Sequence, residues 1–414
     1  MDIRQDAQII ISESIKAVLP DAAVRKALTK RSITKNAYVV AIGKAAWRMA
    51  SSAQQALGDA LVSGVVITKY EHSEGAIPRM EIIEAGHPIP DENGILGTRK
   101  ALDLVSGLTS DDTVIFLISG GGSALFELPL PGVSLQDIAG VTRQLLCCGA
   151  NIVEINTVRK HLSAVKGGRF AQRCAPACVL SIVLSDVLGD SLDSIASGPA
   201  YPDASTCGDV MQILGKYNLT LPEHLRHALL QETPKHLDNA ETEITGNVAE
   251  ICSAAMICAE NLGYTPLLLT TTLDCEARGA GECLAAIARE IKRSGKPIPA
   301  PCAIILGGET IVRVIGSGKG GRNQELALAS AKGIDGLDNV VIFSVGSDGT
   351  DGPTDAAGGM VTGDYAGRCR DAGLSIDAYL HDNNAYELLK RTDGLIITGA
   401  TGTNVNDLSV ILCG

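Results

Sequence analysis

The sequence predicts a two-domain α/β fold, and three observations carry that prediction. Short apolar runs rich in Val, Ile and Leu alternate with segments of helical spacing along the chain. Glycine is abundant, 45 of 414 residues, and clusters just after several of those runs, where a strand must turn sharply into a helix. The length suits two or three domains, each able to bury a core of its own. With 45% apolar but only 3% aromatic residues, such cores must be built from Ala, Val, Ile and Leu.

Residues 1–30 read as an opening helix, with Ile9, Ile10, Ile15, Val18 and Leu19 at helical spacing. Residues 37–42 are a short buried strand that runs into Gly43-Lys44-Ala45-Ala46, and 47–57 are helical. Further strands are expected at 64–69, 81–84, 113–119 and 179–184, with helical segments such as 93–106 between most of them. Strand-then-helix alternation implies a Rossmann-like, mostly parallel sheet with helices on both faces. Between 200 and 245, Pro202, Pro222 and Pro234 interrupt a polar region, which places the boundary between domains 1–235 and 236–414. In the second domain, helices are expected at 247–262 and 277–293, with strands at 265–271, 303–306, 311–315, 340–345 and 395–398. Only Gly307-Gly308-Glu309-Thr310 separate 303–306 from 311–315. That is hairpin spacing, so this α/β domain should hold a mixed sheet.

A net charge of −12 disfavours nucleic acid or an anionic membrane as partner, and no apolar stretch reaches the ~18 residues of a membrane span. Any anion site must be made locally. The twelve cysteines show no C-x-x-C and no paired Cys/His spacing. Without a signal peptide, free thiols in a cytoplasmic protein are expected, and a structural zinc site is not. Neither His87 nor His161 has a sequence neighbour that would make it a metal ligand.

Five glycine- or hydroxyl-rich loops follow expected strands, the place where open α/β sheets bind ligands. Gly316-Ser317-Gly318-Lys319-Gly320-Gly321-Arg322 precedes a helical segment; its glycines and two cations suit a phosphate. It also matches G-x-G-x-x-G, the dinucleotide fingerprint, but two cations and a late position argue against that, and there is no Walker motif. Lys44 sits at a strand-to-helix junction where its ammonium can grip a carboxylate or phosphate. Ser119-Gly120-Gly121-Gly122-Ser123 offers successive N–H groups as an anion nest, and lacks the final glycine of a nucleophile elbow. Asp186, in Ser185-Asp186-Val187, suits a magnesium ion or a substrate hydroxyl proton. Asp348, Asp351 and Asp355 share a glycine-rich loop in which mutual repulsion favours a cation, magnesium rather than calcium. Thr398 to Asp407, with Thr403 and Asn404, reads as a hydroxyl- and amide-lined loop. Arg159, Lys160, Lys166 and Arg169 make a basic patch on an acidic chain. Lysine, anion-ready loops and an aspartate cluster together favour phosphoryl transfer.

These motifs resemble the glycerate 2-kinases, whose C-terminal part is the MOFRL domain. The matching stretches include Gly43-Lys44-Ala45, Gly86-His87-Pro88, Ser119 to Leu125, Asn156 to Ser163, Ser185-Asp186-Val187, Gly307 to Thr310, Gly318 to Glu325, Ser347 to Ala356 and Thr401 to Asp407. One departure is Ala400, where proline is expected. The resemblance implies two α/β domains with the active site in the cleft between them. It implies ATP- and Mg²⁺-dependent phosphorylation of D-glycerate at its 2-hydroxyl, and it is compatible with a homodimer. By the same resemblance Lys44 and Arg322 look like the principal catalytic residues, with Asp186 and Asp348 as supporting acidic residues; Asp186 is expected to be catalytic, and the carboxylates themselves make Asp348, Asp351 and Asp186 the candidates for the metal. Ser119, Gly120, Gly121, Gly122, Ser123, Arg159, Lys319, Gly320, Gly321, Asn323, Glu325, Thr403 and Asn404 would bind substrate or phosphate. Family members are often labelled hydroxypyruvate reductase, so an NAD(P)-dependent reductase is the rival reading, and a non-catalytic sugar-acid-binding protein is a third.

Overall fold

A computed structural model describes residues 2–31, 33, 36–185 and 195–414. The chain divides into two compact units, Pro20–Thr245 and a second made of Met1–Leu19 with Gly246–Gly414.

The first unit is built on strands β1 (Ala37–Ile42), β2 (Leu61–Lys69), β3 (Met80–Ala85), β4 (Thr113–Ile118), β5 (Cys178–Val183) and β6 (Ala240–Ile244). Their order is β3-β2-β1-β4-β5-β6, and every pair is parallel. Successive residues Val39, Val40, Ala41 and Ile42 of β1 are all fully buried, as are Ile115, Phe116 and Leu117 of β4. Side chains alternate between faces along a strand, so the sheet is covered on both, as parallel sheets require. Phe116, Phe126 and Phe170 meet beside it with ring centroids 4.6 to 5.7 Å apart. The crossover from β3 to β4 reverses the direction of winding, which opens a switch point at the C-terminal ends of β1 and β4. A separate helical cluster joins Leu135–Cys147, Ile152–Leu162, Cys207–Lys216 and Glu223–Ala228 through residues such as Ile138, Val158, Val210 and Leu225.

The second unit holds β7 (Thr265–Leu273), β8 (Cys302–Gly308), β9 (Val340–Gly346), β10 (Gly358–Thr362), β11 (Leu395–Ile396) and β12 (Asp407–Cys413). The order is β11-β10-β9-β12-β8-β7. β12 runs antiparallel to both β8 and β9, whereas β7 and β8 are parallel. The sheet is mixed, but not for the reason the sequence suggested. Residues 311–315 form no strand: Ile311 makes one isolated bridge to Glu276, and Ile311, Val314 and Ile315 are exposed. The partner of β8 is β12, from the far end of the chain, which only long-range pairing places there.

Two boundaries also move. The opening segment is two helices, Ile3–Ala17 and Pro20–Thr29, divided just before Pro20. The first packs within the second unit, where Tyr264 Oη donates to buried Asp6 at 2.8 Å and Thr403 Oγ1 to the Val18 carbonyl at 2.9 Å. The first unit ends at Thr245 rather than 235, because the polar run Ala240–Ile244 pairs with β5 as an edge strand. No helix among the described residues is long and apolar enough to cross a membrane.

Candidate active site

At the end of β1 the chain turns at Gly43, whose φ of +113° puts it in the region that favours glycine. A Cβ at Gly43 would lie 2.2 Å from Ser119 Oγ and 2.5 Å from the Ser119 carbonyl oxygen, so the two strand ends approach closely only because no side chain is there. Ser119 Oγ donates to Ile42 O at 3.2 Å and accepts from Ala45 N at 3.1 Å. Its buried hydroxyl therefore fastens β4 to the β1 turn instead of facing a ligand. Lys44 N donates to Gly120 O at 2.9 Å, which sets the lysine against the glycine loop.

The Lys44 ammonium is exposed and makes no ion pair among the described residues. Gly121 takes the left-handed conformation, φ +86°, and opens the short helix Gly122–Leu125. The N–H groups of Gly120, Gly121 and Ser123 donate to no group among the described residues, whereas that of Gly122 is turned back onto Ser119 O at 3.2 Å. A cation and three unengaged amide donors thus share the switch point, as an anion site needs. The His87 ring lies over Gly121, where a Cβ would come 2.9 Å from its Cδ2. Burial, and then the Lys44 charge, hold the His87 pKa below its ordinary value, so the ring is neutral beside the lysine. Nothing in the local pattern Gly86-His87-Pro88 shows that this segment folds onto the glycine loop.

Beneath the loop, fully buried Lys166 donates to Ser123 O at 2.8 Å and Phe126 O at 2.9 Å and lies 3.2 Å from Glu127. Burial pushes its pKa down to about 8. Arg159 Nη2 reaches the same Ser123 carbonyl at 3.4 Å, and Ser123 Oγ shares a hydrogen bond with Ser197 Oγ at 2.8 Å. The expected basic patch is therefore largely internal. Lys166 and Arg159 support the loop from behind, Lys160 pairs with buried Asp203 at 3.3 Å, and Arg169 donates to backbone carbonyls. Asp186 lies outside the described residues.

In the second unit the stretch Gly316 to Arg322 behaves differently. Asn383 Oδ1 accepts from Ile315 N and Gly316 N at 2.8 and 2.9 Å, Asp382 from Ser317 N and Gly318 N, and Asn384 Oδ1 from Lys319 N at 3.2 Å. The donors of residues 315–319 are already engaged by the segment that carries Asp382 to Asn384. The helix Arg322–Ser330 that follows is capped by Asp351, whose carboxylate accepts from Asn323 N at 3.2 Å and Gln324 N at 2.8 Å. Protein groups occupy part of the nest expected here, whereas the N–H groups of Gly320, Gly321 and Arg322 donate to no group among the described residues. Nor does a strand precede Gly316, so the stretch lacks the strand–turn–helix unit of a dinucleotide fingerprint. Lys319 projects over the Tyr386 ring, 4.6 Å from its centroid, and Gly320 and Gly321 pack on Ala385 and Asp351.

Arg322 is held by charge. Its Nε and Nη2 donate to the two Asp407 oxygens at 2.6 and 3.0 Å, and Nη1 donates to Glu309 Oε1 at 2.9 Å. Burial alone would lower the Arg322 pKa; the hydrogen bond and charge of Asp407, with Glu309 behind it, outweigh burial and raise it. Asp407 itself is raised by burial despite its pairing. Glu309 and Asp407 were not singled out from sequence, since they stand 13 and 85 positions from Arg322.

Asn323 and Glu325 are buried and bonded within the protein. Asn323 Nδ2 donates to Asp351 at 3.3 Å and its Oδ1 accepts from Ser344 Oγ at 2.5 Å; Glu325 is clamped by Arg278 and Asn383, both at 3.1 Å. Thr403 anchors the first helix, and Asn404 Oδ1 accepts from Asn406 N at 3.3 Å. The loops 346–352 and 398–407 interlock: Thr401 Oγ1 donates to Ser347 O at 2.6 Å, Ser347 Oγ accepts from Val405 N at 2.8 Å, and a Cβ on Gly349 would collide with Gly399 O at 1.9 Å. Asp355 accepts from Tyr386 Oη at 2.7 Å. The three aspartates do not converge on one cation. Asp351 has given both oxygens to the helix start, and burial pushes its pKa up to about 6. Asp348 uses only Oδ1, to Thr350 N at 2.9 Å, and keeps the other oxygen.

A parallel sheet in Rossmann order with an unpaired lysine and amide donors at its switch point, and a separate mixed-sheet unit with an arginine held by carboxylates, define an α/β protein equipped for anionic substrates. Residues 6–230 match a domain described as of unknown function, DUF4147, and 302–407 match the MOFRL family. The chain is 54% identical to the D-glycerate 2-kinase of Thermotoga maritima over 97% of this chain and 96% of that one. It is 41% identical to the glycerate 2-kinase of Pyrococcus horikoshii over 100% and 98%. The crystal structure of Thermotoga maritima glycerate kinase superimposes with a TM-score of 0.97 over 99% of both chains. This chain belongs to the glycerate 2-kinase family.

Proposed function

We propose that this protein is an ATP-dependent kinase that phosphorylates D-glycerate at the 2-hydroxyl and releases 2-phosphoglycerate and ADP. The observation that carries the reading is the unpaired Lys44 ammonium beside the unengaged N–H groups of Gly120, Gly121 and Ser123. Phosphoryl transfer asks a protein mainly to position its reactants and to neutralise charge spreading over the moving group. Lys44 supplies full charge and the amides supply fixed partial charges that need no reorganisation during the reaction. The family resemblance gives Arg322 a catalytic role as well; Asp407 and Glu309 hold its guanidinium in one orientation before any substrate binds. The neutral His87 ring walls the loop without adding charge of its own.

Magnesium fits one described residue of the aspartate loop, Asp348, which would hold it through its unengaged oxygen, and does not fit Asp351. When bound, the ion would neutralise phosphate charge. Asp186 retains its proposed acidic role on sequence grounds.

The test is a paired assay. ADP release from ATP, Mg²⁺ and D-glycerate, without NADH oxidation in the presence of hydroxypyruvate, is the expected result. NADH oxidation without ADP release would replace the kinase by the reductase, and binding of glycerate with neither activity would leave only a binding protein.

A further inference from the structure

His161, Cys207 and Glu232 come together in the helical cluster of the parallel-sheet unit, each offering a donor atom within 4.8 Å of the others. His161 lies on Ile152–Leu162, Cys207 is the first residue of Cys207–Lys216, and Glu232 follows Glu223–Ala228. Separations of 46 and 25 positions explain why no metal-ligand spacing is visible in the sequence.

The histidine is the informative member. It is fully buried, and its Nδ1 lies 3.0 Å from the Thr157 carbonyl oxygen. A carbonyl can only accept, so Nδ1 carries the proton and Nε2 presents a lone pair. That Nε2 has no hydrogen-bond partner among the described residues. A buried imidazole fixed by a backbone carbonyl at one nitrogen and unpartnered at the other has the arrangement of a metal-binding histidine. We infer that His161, Cys207 and Glu232 form a binding site for a borderline divalent cation of the zinc type.

The donor set is nitrogen, sulfur and oxygen, which suits zinc and is foreign to magnesium or calcium, whose ligands are oxygens. Zinc–ligand bonds of about 2.0–2.3 Å at tetrahedral angles set donors roughly 3.3–3.8 Å apart, so small side-chain rotations close the set. Glu232 is already positioned, since its Oε1 accepts from Cys207 N at 2.9 Å. Its Oε2 lies 3.0 Å from Lys235 Nζ, and that ammonium also donates to Ser205 O and, at 3.0 Å, to Thr233 Oγ1. Lys235 can therefore release the carboxylate and remain satisfied. Arg169 and Asp203 also face the histidine, Asp203 being paired with Lys160. Binding replaces the Cys207 S–H bond by a sulfur–metal bond and releases that proton to solvent; nothing is oxidised or reduced. The exposed glutamate leaves a route of entry.

The full-length protein, stripped with chelator and kept in excess Mg²⁺, is titrated with Co²⁺ as a spectroscopic stand-in for zinc. The expected result is a thiolate-to-cobalt charge-transfer band that saturates at one equivalent, is lost in Cys207→Ser and persists in a Cys147→Ser/Cys148→Ser control. His161→Gln should lose it as well; if that variant fails to fold by circular dichroism, Cys207→Ser decides alone. Absence of a band, or a band that survives Cys207→Ser in a folded variant, overturns the site and leaves a thiol–carboxylate contact beside a structural histidine. A second readout is thermal: Zn²⁺ should raise the Tm of the parent protein and leave that of Cys207→Ser unchanged.

Discussion

In the parallel-sheet unit the glycine loop sets three N–H groups without partners beside an unpaired ammonium, whereas in the mixed-sheet unit the donors of residues 315–319 are paired within the protein and those of Gly320, Gly321 and Arg322 stay open among the described residues. The contrast lies in what stands opposite each loop. Gly120 to Ser123 follow β4 at a point where the sheet reverses its winding, and the neighbouring β1 turn brings a lysine rather than an acceptor. Gly316 to Gly321 follow no strand and lie against Asp382, Asn383 and Asn384, whose side chains accept from five consecutive residues together with one backbone carbonyl. The first loop keeps its donors open beside a cation, whereas most of the second is tied to neighbouring side chains and ends at Arg322, whose guanidinium is held by Asp407 and Glu309.

If that division is right, Lys44→Ala should have the largest effect. Turnover is expected to fall by about 10²–10³ or more with the fold retained, because a charge aimed at the transition state is removed. A folded variant with near-parental kcat would break the comparison at its centre. Arg322→Ala should cost a similar factor in kcat and also lower Tm, since it leaves Asp407 buried without its partner.

Stability separates the two glycine loops next. Gly43→Ala meets Ser119 at 2.2 Å in a left-handed conformation and should destabilise by about 3 kcal/mol. Gly320→Ala meets its nearest atom at 3.3 Å and should stay within about 0.5 kcal/mol. Equal effects in denaturant titration would contradict the close approach at the switch point.

A smaller difference lies within the arginine's own partners. Asp407→Asn is expected to cost about 1–3 kcal/mol, since a buried charge-assisted pair is lost. Glu309→Gln, at a half-exposed side chain, should cost under about 1 kcal/mol. The reverse order in urea melts would mean that Glu309 is the main anchor.

The smallest effect concerns the helix cap. Burial raises the Asp351 pKa from 3.8 to about 6. Between those values the folded protein binds more protons than the unfolded chain, so this group's stabilising contribution is full below pH 3.8 and is lost as pH rises through about 6. The stability of the parent relative to Asp351→Asn should therefore decline from pH 4 to 6. A flat difference would show that the two backbone donors already stabilise the ionised carboxylate.

Lys44 and the glycine loop were legible because strand, turn and helix start are set by residues adjacent in sequence: an apolar run, then glycine where the backbone must bend. The same local logic located most strands of both sheets, but not all. β6 reads as polar loop because it is a half-exposed edge, and 311–315 reads as a strand although no partner strand lies beside it. The aspartate loop looked like a single cation site because repulsion is visible in a sequence, while the donors that absorb Asp351 come from Asn323 and Gln324.

Local order alone therefore determined the α/β class, most strands of the parallel sheet, and the lysine and glycines at the switch point, since each depends on neighbours along the chain. Tertiary structure decided which donors stay free, which carboxylates hold Arg322, where the first helix packs, and that His161 meets Cys207 and Glu232. Those outcomes depend on groups tens to hundreds of residues apart, whose pairing is set by burial and by the need to satisfy polar atoms once water is excluded.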